Sequence, residues 1–335
     1  MKVLVTGGAG YIGSTICSAL KDNGHEAVIL DSLITGKEEF TKNRVFYKGD
    51  IADKAILDRI FKDHPDIGYT IHCAALIVVP ESVEKPYEYY TENVSKSLEL
   101  FRNLNALGCK NVVFSSSAAI YDDSSNFIVT EESPLNPRSP YARTKYMMEM
   151  VLQDFCNAYG MRGIALRYFN PIGADPKMRS GIHLKSPSHL LGKLVDVALG
   201  KDPVFKITGV DWDTRDGSGI RDYIHVWDLA MAHIKAIENF DNIFNSSKEG
   251  SYMVINLGKG DGVTVKEMVA AFEKVFNQNV NKEEAPPRPG DVPGAYASSD
   301  RAAKLLGWKA ELSLEQGIED ALKWAELREN ILGYK

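Results

Sequence analysis

The N-terminal segment contains an apolar run, a cluster of glycines and the start of a helical pattern. Lys2–Thr6 is KVLVT, a β-branched run that stops at glycines, which is typical of a buried strand. Glycines then stand at every third position, at Gly7, Gly10 and Gly13. The helical pattern begins at Tyr11, so the backbone can approach a pyrophosphate at the N-terminus of the helix. The segment predicts a strand–turn–helix unit that binds a dinucleotide.

A second strand, predicted over residues 26–30, ends at an acid. Asp31 stands 18 positions after Gly13. A carboxylate at this place suits the two hydroxyls of a ribose and repels a 2′-phosphate. We therefore predict NAD rather than NADP as the cofactor. The alternative is a tight glycine turn beside a solvated aspartate, but the combination of strand, glycines, helix, strand and acid favours the dinucleotide.

Strands and helical segments alternate through the first half of the chain. Further strands are predicted over residues 45–48, 67–72, 111–114 and 161–168. This alternation is typical of a doubly wound parallel sheet, a Rossmann-type α/β fold. The candidate site residues follow directly after strands: Gly7, Asp31, Asp50, Ala74, Ser117 and Asn170. Because ligands bind at the carboxyl edge of such a sheet, these positions predict a single site.

Asp50 and the residues around Ala74 each have a local feature that bears on cofactor binding. Asp50 either contacts the adenine or caps the helix that begins near Asp53, and both interpretations remain open. Cys73, Ala74 and Ala75 are small, so the backbone there can pass close to a cofactor.

The stretch SPYARTK, Ser139 to Lys145, carries the strongest catalytic pattern. Ser139 followed by Pro140 predicts a helix N-cap with proline at the first helical position. Tyr141 and Lys145 are four residues apart and share one helix face. A nearby ammonium is expected to lower the pKa of the phenol, so the pair can act as general base and acid. The alternative is an exposed tyrosine and lysine on an ordinary amphipathic helix.

The second half of the chain predicts a smaller mixed α/β domain. After Asn170, residues 171–221 are rich in Gly, Pro, Ser and Asp and contain few strands. A strand and a helix return after residue 222. We predict a cofactor domain over 1–170 and about 222–260, and a discontinuous substrate domain over about 171–221 and 261–335.

Composition excludes several classes of protein. The net charge of the 335 residues is −6, which argues against a nucleic-acid partner. Apolar runs are too short to cross a membrane, and the first residues lack the pattern of a signal peptide. We therefore expect a cytoplasmic protein without a membrane partner. The four cysteines, Cys17, Cys73, Cys109 and Cys156, have no metal-ligand spacing, so we expect reduced packing residues and no metal site.

Six motifs together resemble the extended short-chain dehydrogenase/reductase family and, within it, the nucleotide-sugar 4-epimerases. The resemblance covers nearly the whole chain. The motifs are TGGAGYIGS (6–14), SSSAAIY (115–121), SPYARTK (139–145), RYFNPIGA (167–174), RDYIHVWDLA (221–230) and PRPGD (287–291).

The resemblance implies that a UDP-hexose is epimerised at C4 through a transient 4-keto sugar. Tyr141 would take the proton of the 4-hydroxyl, Lys145 would tune Tyr141 and contact the nicotinamide ribose, and Ser117 would bridge the 4-oxygen and the phenol. NAD would accept the hydride and return it to the other face, and would stay bound through turnover.

The resemblance also implies binding residues. The cofactor set is Gly7, Gly10, Tyr11, Ile12, Gly13, Asp31, Asp50, Ile51, Cys73, Ala74, Ala75, Asn93, Ser115, Tyr141, Lys145 and Tyr168. The substrate set is Ser117, Tyr141, Asn170, Ser188, Arg221, Arg288, Asp291 and Ala295. Arg221 and Arg288 would clamp the diphosphate, for which a guanidinium fork is suited. The alternative for each arginine is a solvated salt bridge.

Some positions depart from related sequences. Ala118 and Ala119 stand where 4,6-dehydratases carry an Asp-Glu pair, so elimination of water is not expected. Ile77 replaces a lysine that reaches the cofactor, which would loosen NAD. The small Ala295 stands at a gate where a tyrosine excludes N-acetylated sugars, so UDP-GlcNAc and UDP-GalNAc are also expected as substrates. This alignment can slip by one residue, onto Tyr296.

Two other functions are alternatives to a UDP-hexose 4-epimerase. One is an epimerase for a UDP-pentose or a UDP-uronic acid, which the sequence does not separate from a UDP-hexose enzyme. The other is a non-catalytic NAD-binding sensor or scaffold, against which the complete set of Ser117, Tyr141 and Lys145 argues. Two long apolar helical segments, predicted over 83–107 and 140–159, imply by resemblance a homodimer, although the sequence alone also allows a monomer.

Overall fold

A computed structural model describes residues 1–246, 250–287 and 292–334, in which fourteen strands and twelve α-helices occur. In chain order the strands are β1 (Lys2–Thr6), β2 (Glu26–Asp31), β3 (Val45–Lys48), β4 (Ile67–His72), β5 (Asn111–Ser117), β6 (Ile128–Val129), β7 (Arg162–Tyr168), β8 (Asn170–Ile172), β9 (Phe205–Thr208), β10 (Ile220–His225), β11 (Tyr252–Leu257), β12 (Gly262–Thr264), β13 (Lys282–Ala285) and β14 (Gly294–Ala297). The α-helices are α1 (Tyr11–Asp22), α2 (Lys54–Asp63), α3 (Val79–Glu84), α4 (Pro86–Tyr90), α5 (Lys96–Ala106), α6 (Pro140–Tyr159), α7 (Leu190–Ala198), α8 (Val226–Glu238), α9 (Phe240–Ser246), α10 (Val265–Phe276), α11 (Asp300–Leu306) and α12 (Leu314–Leu332).

Seven strands form one parallel sheet in the order β11-β7-β5-β4-β1-β2-β3. The chain first builds outward from β1 to β3 and then returns to build outward from β4 to β11. This reversal confirms the predicted Rossmann-type doubly wound fold, and it places a crevice at the carboxyl ends of β1 and β4.

Both faces of the large sheet are covered by helices. Side chains of a strand alternate between faces, so Val3 and Leu4 of β1 belong to different apolar clusters. Val3 packs in the cluster that contains Leu20 of α1 and Leu229 of α8. Leu4 packs in the cluster that contains Leu152 of α6 and residues of α2 and α5. The sheet is therefore buried on both faces, as expected of parallel strands.

The remaining strands form smaller sheets beside the carboxyl edge. One has the order β12-β10-β14-β6, with β8 also paired to β10, and β13 pairs with β9. Only Phe169 separates β7 in the large sheet from β8 in the small one. A third apolar cluster, which includes Leu194, Phe272 and Ile318, lies under these strands. The predicted domain limits stay a prediction; β10 hydrogen-bonds within the small sheet, whereas α8, which follows it, packs on the large sheet.

Of the two long helices predicted from the sequence, one forms as predicted and the other is divided. The prediction for 140–159 is confirmed by α6, which Ser139 caps by accepting a hydrogen bond from the Ala142 N–H at 3.1 Å. The prediction of one helix over 83–107 was wrong, because α3, α4, a π-helical turn and α5 divide that region. Pro86 lacks an N–H and disfavours helical geometry at Lys85, whose φ and ψ are −127° and 55°.

Candidate active site

The glycine turn after β1 is packed too closely for side chains. Gly7 has φ +73°, and a Cβ there would lie 2.6 Å from the backbone nitrogen of Ala74. A Cβ on Gly13 would lie 2.2 Å from the carbonyl oxygen of Gly7. At Gly10, the N-cap of α1, no side-chain hydrogen bond caps the helix within the described part of the chain. The first amides of α1 are therefore available to an anion, and this turn fits the pyrophosphate of a dinucleotide.

Asp31 lies beside this turn, at the end of β2. Its Oδ2 accepts a hydrogen bond from the Ala9 N–H at 3.0 Å, and its Oδ1 accepts one from the Leu33 N–H at 2.8 Å. Burial raises the pKa of this carboxyl group, and the two amides act in the opposite direction. Each carboxylate oxygen can accept a further hydrogen bond, so the group is suited to ribose hydroxyls.

The loop after β4 is held in place by Asn93. The Asn93 Oδ1 accepts from the Leu76 N–H at 2.8 Å, and its Nδ2 donates to the Leu76 carbonyl at 2.9 Å. The same Nδ2 also donates to Thr144 Oγ1 on α6 at 3.1 Å. Asn93 is thus engaged by the protein itself, and it links Leu76 to Thr144 of α6. A direct contact between Asn93 and the cofactor stays a prediction.

Asp50 does not cap the helix that follows it. Asp53 caps α2, because its side chain accepts a hydrogen bond from the Ala55 N–H at 2.8 Å. Asp50 instead accepts a hydrogen bond from the Ala52 N–H at 2.9 Å and one from Lys96 Nζ at 2.6 Å. Of its two predicted roles, only the adenine contact remains as a prediction.

The three predicted catalytic residues lie together at the end of β5 and the start of α6. Ser117 is the last residue of β5, Tyr141 is in the first turn of α6, and Lys145 is one turn further. Their exposed fractions are 8%, 8% and 3%. The Ser117 hydroxyl accepts a hydrogen bond from the Ala119 N–H at 3.2 Å. Lys145 Nζ donates to the Ser115 carbonyl at 2.8 Å and lies 6.0 Å from the centre of the Tyr141 ring.

Burial governs the acid–base properties of this group. It lowers the pKa of Lys145 to about 8, while the charges of Cys73 and Glu149 act in the opposite direction. Burial also raises the pKa of Tyr141, against a smaller effect of the Ser117 hydrogen bond. The expectation that Lys145 holds the Tyr141 pKa below its ordinary value was therefore wrong, because the cost of burying a phenolate is larger.

Further residues of the predicted cofactor set form the wall next to Lys145. Ser115 Oγ lies 3.2 Å from Cys73 Sγ and 3.2 Å from His233 Nε2. Burial raises the pKa of the neighbouring Tyr168 well above its ordinary value. Tyr11 donates a hydrogen bond from its hydroxyl to the Gly173 carbonyl at 2.7 Å, which ties α1 to the segment after β8. The other members occupy the same edge: Ile12 is half-buried on α1, Ile51 is buried, and Ala74 and Ala75 are half-buried after β4.

Three further residues of the predicted substrate set, Asn170, Arg221 and Ala295, lie on strands of the small sheet. Asn170 Nδ2 donates to the Asp222 carbonyl at 3.1 Å. Arg221 Nη1 donates to the Pro293 carbonyl at 2.7 Å, and its backbone pairs with Ala295 of β14. Ser188 is exposed before α7. The structure thus brings Arg221 beside the predicted gate. Arg288 and Asp291 lie outside the described residues.

Two buried charges behind the catalytic residues were not predicted. Glu149 of α6 and Arg167 of β7 form an ion pair, with 2.6 Å between Oε2 and Nη2. The available signal was an acid four residues after Lys145, which places it on the same helix face. An ordinary solvated helix face gives the same pattern, so spacing alone does not identify a buried pair.

Comparisons with known proteins identify the family. A model of the NAD dependent epimerase/dehydratase family matches residues 3–258. A UDP-glucose 4-epimerase of Bacillus subtilis is 40% identical over an alignment of 345 positions, which spans 100% of this chain and 99% of that protein. The solved UDP-glucose 4-epimerase of Stenotrophomonas maltophila, with bound NAD and formylated UDP-arabinopyranose, matches with a TM-score of 0.92 and 35% identity over 98% of this chain and 99% of that one.

A second solved structure differs in the sugar that its name records. The UDP-Glc/GlcNAc 4-epimerase of Campylobacter jejuni matches with a TM-score of 0.82 and 33% identity, and the match covers 97% of this chain and 99% of that one. The family model and these full-length similarities agree with the resemblance found in the six motifs. The chain therefore belongs to the NAD dependent epimerase/dehydratase family and, within it, to the UDP-glucose 4-epimerases.

Proposed function

We propose that the protein interconverts UDP-glucose and UDP-galactose, the two C4 epimers of a UDP-hexose, with NAD as a bound cofactor. The observation that carries this proposal is the buried group of Ser117, Tyr141 and Lys145, which stands at the carboxyl edge of the sheet that also holds the glycine turn and Asp31. The UDP-glucose 4-epimerases to which the chain is similar support the choice of substrate and cofactor.

The glycine turn, the first amides of α1 and Asp31 would hold the pyrophosphate and a ribose of NAD. Lys145 would contact the second ribose. When bound, NAD supplies the group that accepts the C4 hydrogen of the sugar and returns it. Tyr11, Ile12, Ile51 and the small residues after β4 complete this side of the site in the proposal.

Tyr141 would act as the base for the 4-hydroxyl. Its phenolate oxygen takes the hydroxyl proton as C4 is oxidised to the ketone, and it returns that proton when C4 is reduced on the opposite face. Ser117 would orient the 4-oxygen toward the phenolate. The Lys145 ammonium stabilises the phenolate, and the charge of the bound cofactor would offset the burial that raises the Tyr141 pKa in the protein alone.

Arg221, Arg288, Asn170, Ser188 and Asp291 would hold the UDP group while the 4-keto sugar turns over. Ala295 is half-buried, and its small side chain would leave room for an acetamide, so the proposal extends to UDP-GlcNAc and UDP-GalNAc. The Campylobacter jejuni relative, a UDP-Glc/GlcNAc 4-epimerase by name, supports this extension. The alternative of a UDP-pentose substrate is kept because the Stenotrophomonas maltophila relative was solved with a formylated UDP-arabinopyranose.

We also propose a cytoplasmic homodimer. Apolar side chains of α5 and α6 are exposed, with 41% of Leu98, 37% of Met147 and 41% of Met150 accessible, and such surfaces mark interaction sites. All four cysteines are free, which supports a reducing compartment. Across the described ranges, every helix is too short or too polar to cross a lipid bilayer. Galactose catabolism and the supply of surface polysaccharide would both use this chemistry.

The test is to incubate the purified protein without added cofactor, separately with UDP-galactose and with UDP-GalNAc, and to identify the products by NMR. We expect conversion of both. Conversion of UDP-galactose alone would remove the N-acetyl extension but leave the epimerase. If neither sugar nucleotide reacts even after NAD is supplied, the proposal is wrong, and UDP-pentoses and UDP-uronic acids become the next substrates to test. A scaffold would be indifferent to Tyr141→Phe.

A further inference from the structure

Glu149 and Arg167 are fully desolvated partners behind the catalytic residues. Their side chains are 4% and 5% exposed. Arg167 Nε donates to Glu149 Oε1 at 2.9 Å, and Nη2 donates to Oε2 at 2.6 Å. This two-bond arrangement is the strong, directional form of an arginine–carboxylate pair. Neither group has a role in the proton transfer described above.

The carboxylate also contacts the strand that carries Ser117. The Ser116 hydroxyl donates a hydrogen bond to Glu149 Oε1. The preceding residue, Ser115, offers its carbonyl to Lys145 Nζ at 2.8 Å. Two successive turns of α6 are thus bound to two neighbouring residues of β5, immediately before Ser117. The distance between the helix that carries Tyr141 and the strand that carries Ser117 is fixed by these two contacts.

The Arg167 guanidinium continues this hydrogen-bond network toward the proposed substrate side. Arg167 Nη1 donates to the Tyr121 hydroxyl at 3.0 Å, and that hydroxyl donates to Asn256 Oδ1 at 2.7 Å. Asn256 Nδ2 donates to the Val129 carbonyl at 3.3 Å. Val129 belongs to β6, which pairs with β14, the strand that contains Ala295. A continuous series of hydrogen bonds therefore runs from the catalytic helix to the strand of the predicted gate.

A stabilising role alone does not account for this arrangement. Taking both charges out of water costs about as much as their attraction returns, and well-packed apolar residues of similar volume are often as stable or more so. Apolar residues cannot make the directional bonds to Ser116 and Tyr121. What the charged pair adds is therefore a defined geometry between α6, β5 and β7.

We propose that Glu149, paired with Arg167, is a positioning residue that sets the placement of Ser117, Tyr141 and Lys145 during turnover. This inference rests on the proposed epimerase function. Glu149 acts through other residues and does not touch the reacting atoms.

The charge of Glu149 has a second effect, on Lys145. The groups that face the Lys145 ammonium are the Tyr141 ring and Glu149 on α6, the Phe114 ring and the Ser115 carbonyl on β5, and Cys73 and His72 at the end of β4. Among them, Cys73 and Glu149 raise the pKa of Lys145. Loss of the Glu149 charge lowers that pKa, so Lys145 loses its proton at a lower pH.

The experiment compares Glu149→Gln with the unmodified enzyme, both saturated with added NAD, in the conversion of UDP-galactose. Glutamine keeps the size of the side chain and one acceptor but removes the charge and the second bond to Arg167. We expect kcat to fall about 10- to 100-fold, because displacements of about 1 Å can cost about 100-fold in rate, while KM changes less than about 3-fold. The alkaline limb of kcat against pH should move to lower pH.

The matched control is Asp196→Asn. Asp196 and Arg328 are also a buried pair, with side chains 5% and 4% exposed and 3.8 Å between Oδ1 and Nη2, but they lie between α7 and α12. This substitution should lower the melting temperature without moving the pH profile of kcat. If Glu149→Gln behaves in the same way, the pair is only structural and the inference is wrong.

Ser116→Ala gives a second test in case the glutamine variant does not fold. It removes one neutral hydroxyl and leaves the ion pair intact, and we expect kcat to fall about 3- to 10-fold, in line with one lost hydrogen bond. An unchanged kcat would contradict the proposed contact with β5. Absence of conversion by the unmodified enzyme, in contrast, would tell against the epimerase function itself.

Discussion

The cofactor side and the substrate side of the site are built from different kinds of segment. On the proposed cofactor side, Gly7 follows β1, Asp31 ends β2 and Ala74 lies after β4, all parallel strands of one sheet, and the turn is so close-packed that a Cβ on Gly7 would lie 2.6 Å from the Ala74 nitrogen. On the substrate side, Asn170, Arg221 and Ala295 come from three short strands that are far apart in sequence. The first side tolerates almost no change of shape, whereas the second can vary one segment at a time.

The largest effect is expected where the two sides meet. Tyr141→Phe keeps the packing of α6 but removes the proton acceptor, so kcat should fall by about 100- to 10,000-fold, the usual contribution of a general base. NMR assay of UDP-galactose conversion measures it. Bound NAD should be retained, which absorbance of the released cofactor checks. A variant with more than a tenth of the original rate would show that another group takes the proton.

A second prediction tests the rigidity of the cofactor side. In Gly13→Ala the new Cβ would meet the Gly7 carbonyl, and overpacking of this kind costs about 1–3 kcal/mol. We expect affinity for NAD to fall about 10- to 100-fold in calorimetry. Gly68→Ala is the control, because a Cβ there meets no atom within 4 Å. Equal affinities for NAD in the Gly13 and Gly68 variants would mean that the glycine turn can shift to accommodate a Cβ.

A third prediction tests the adaptability of the substrate side. Ala295→Tyr should abolish conversion of UDP-GalNAc, because the ring would fill the volume that the acetamide needs and a misfit of one methylene alone costs about 10- to 200-fold. Conversion of UDP-galactose should change less than about 3-fold. Neighbouring residues of a strand point to opposite faces, so Tyr296→Ala is the control for the position of the gate. If only the Tyr296 variant alters the ratio of the two rates, the gate lies one residue further along the chain.

The smallest effect concerns pH. Burial lowers the pKa of Lys145 to about 8 from its ordinary 10.5, so the ammonium is lost as pH rises through 8 and kcat should fall about 10-fold per pH unit above it. The unfolded chain keeps that proton up to about pH 10.5. It therefore binds more protons between these values, and this group makes the free energy of unfolding rise with pH there. Urea unfolding of Lys145→Met should lack that rise.

Sequence reasoning succeeded where the signal is local. The glycine turn, Asp31 and the spacing of Tyr141 and Lys145 each lie within one strand–turn–helix or one helix turn, and the positions of β1, α1 and α6 follow from them. The break at Pro86 was also local, but the apolar pattern on both sides concealed it. The reversed direction of the Tyr141 pKa depends on burial, which spacing does not reveal.

The sequence does not predict which side chains of different elements will contact one another. Glu149 and Arg167 are 18 positions apart in different elements, and neither carries a pattern that names the other. The same holds for Asn93, which lies in the π-helical turn between α4 and α5 and whose amide meets the backbone of Leu76, 17 positions earlier. These contacts depend on the angle at which helices meet the sheet, which periodicity does not determine.

The passage from β7 to β8 has a consequence for how this chain can evolve. Since Phe169 alone separates the two sheets, an insertion or deletion there would shift the hydrogen-bond register of β7 against β5 or of β8 against β10. The connection between β7 and β8 is too short to absorb insertions or deletions. New substrate ranges are therefore expected to arise by substitution along β14, while the length of the chain between Tyr168 and Asn170 stays constant among its descendants.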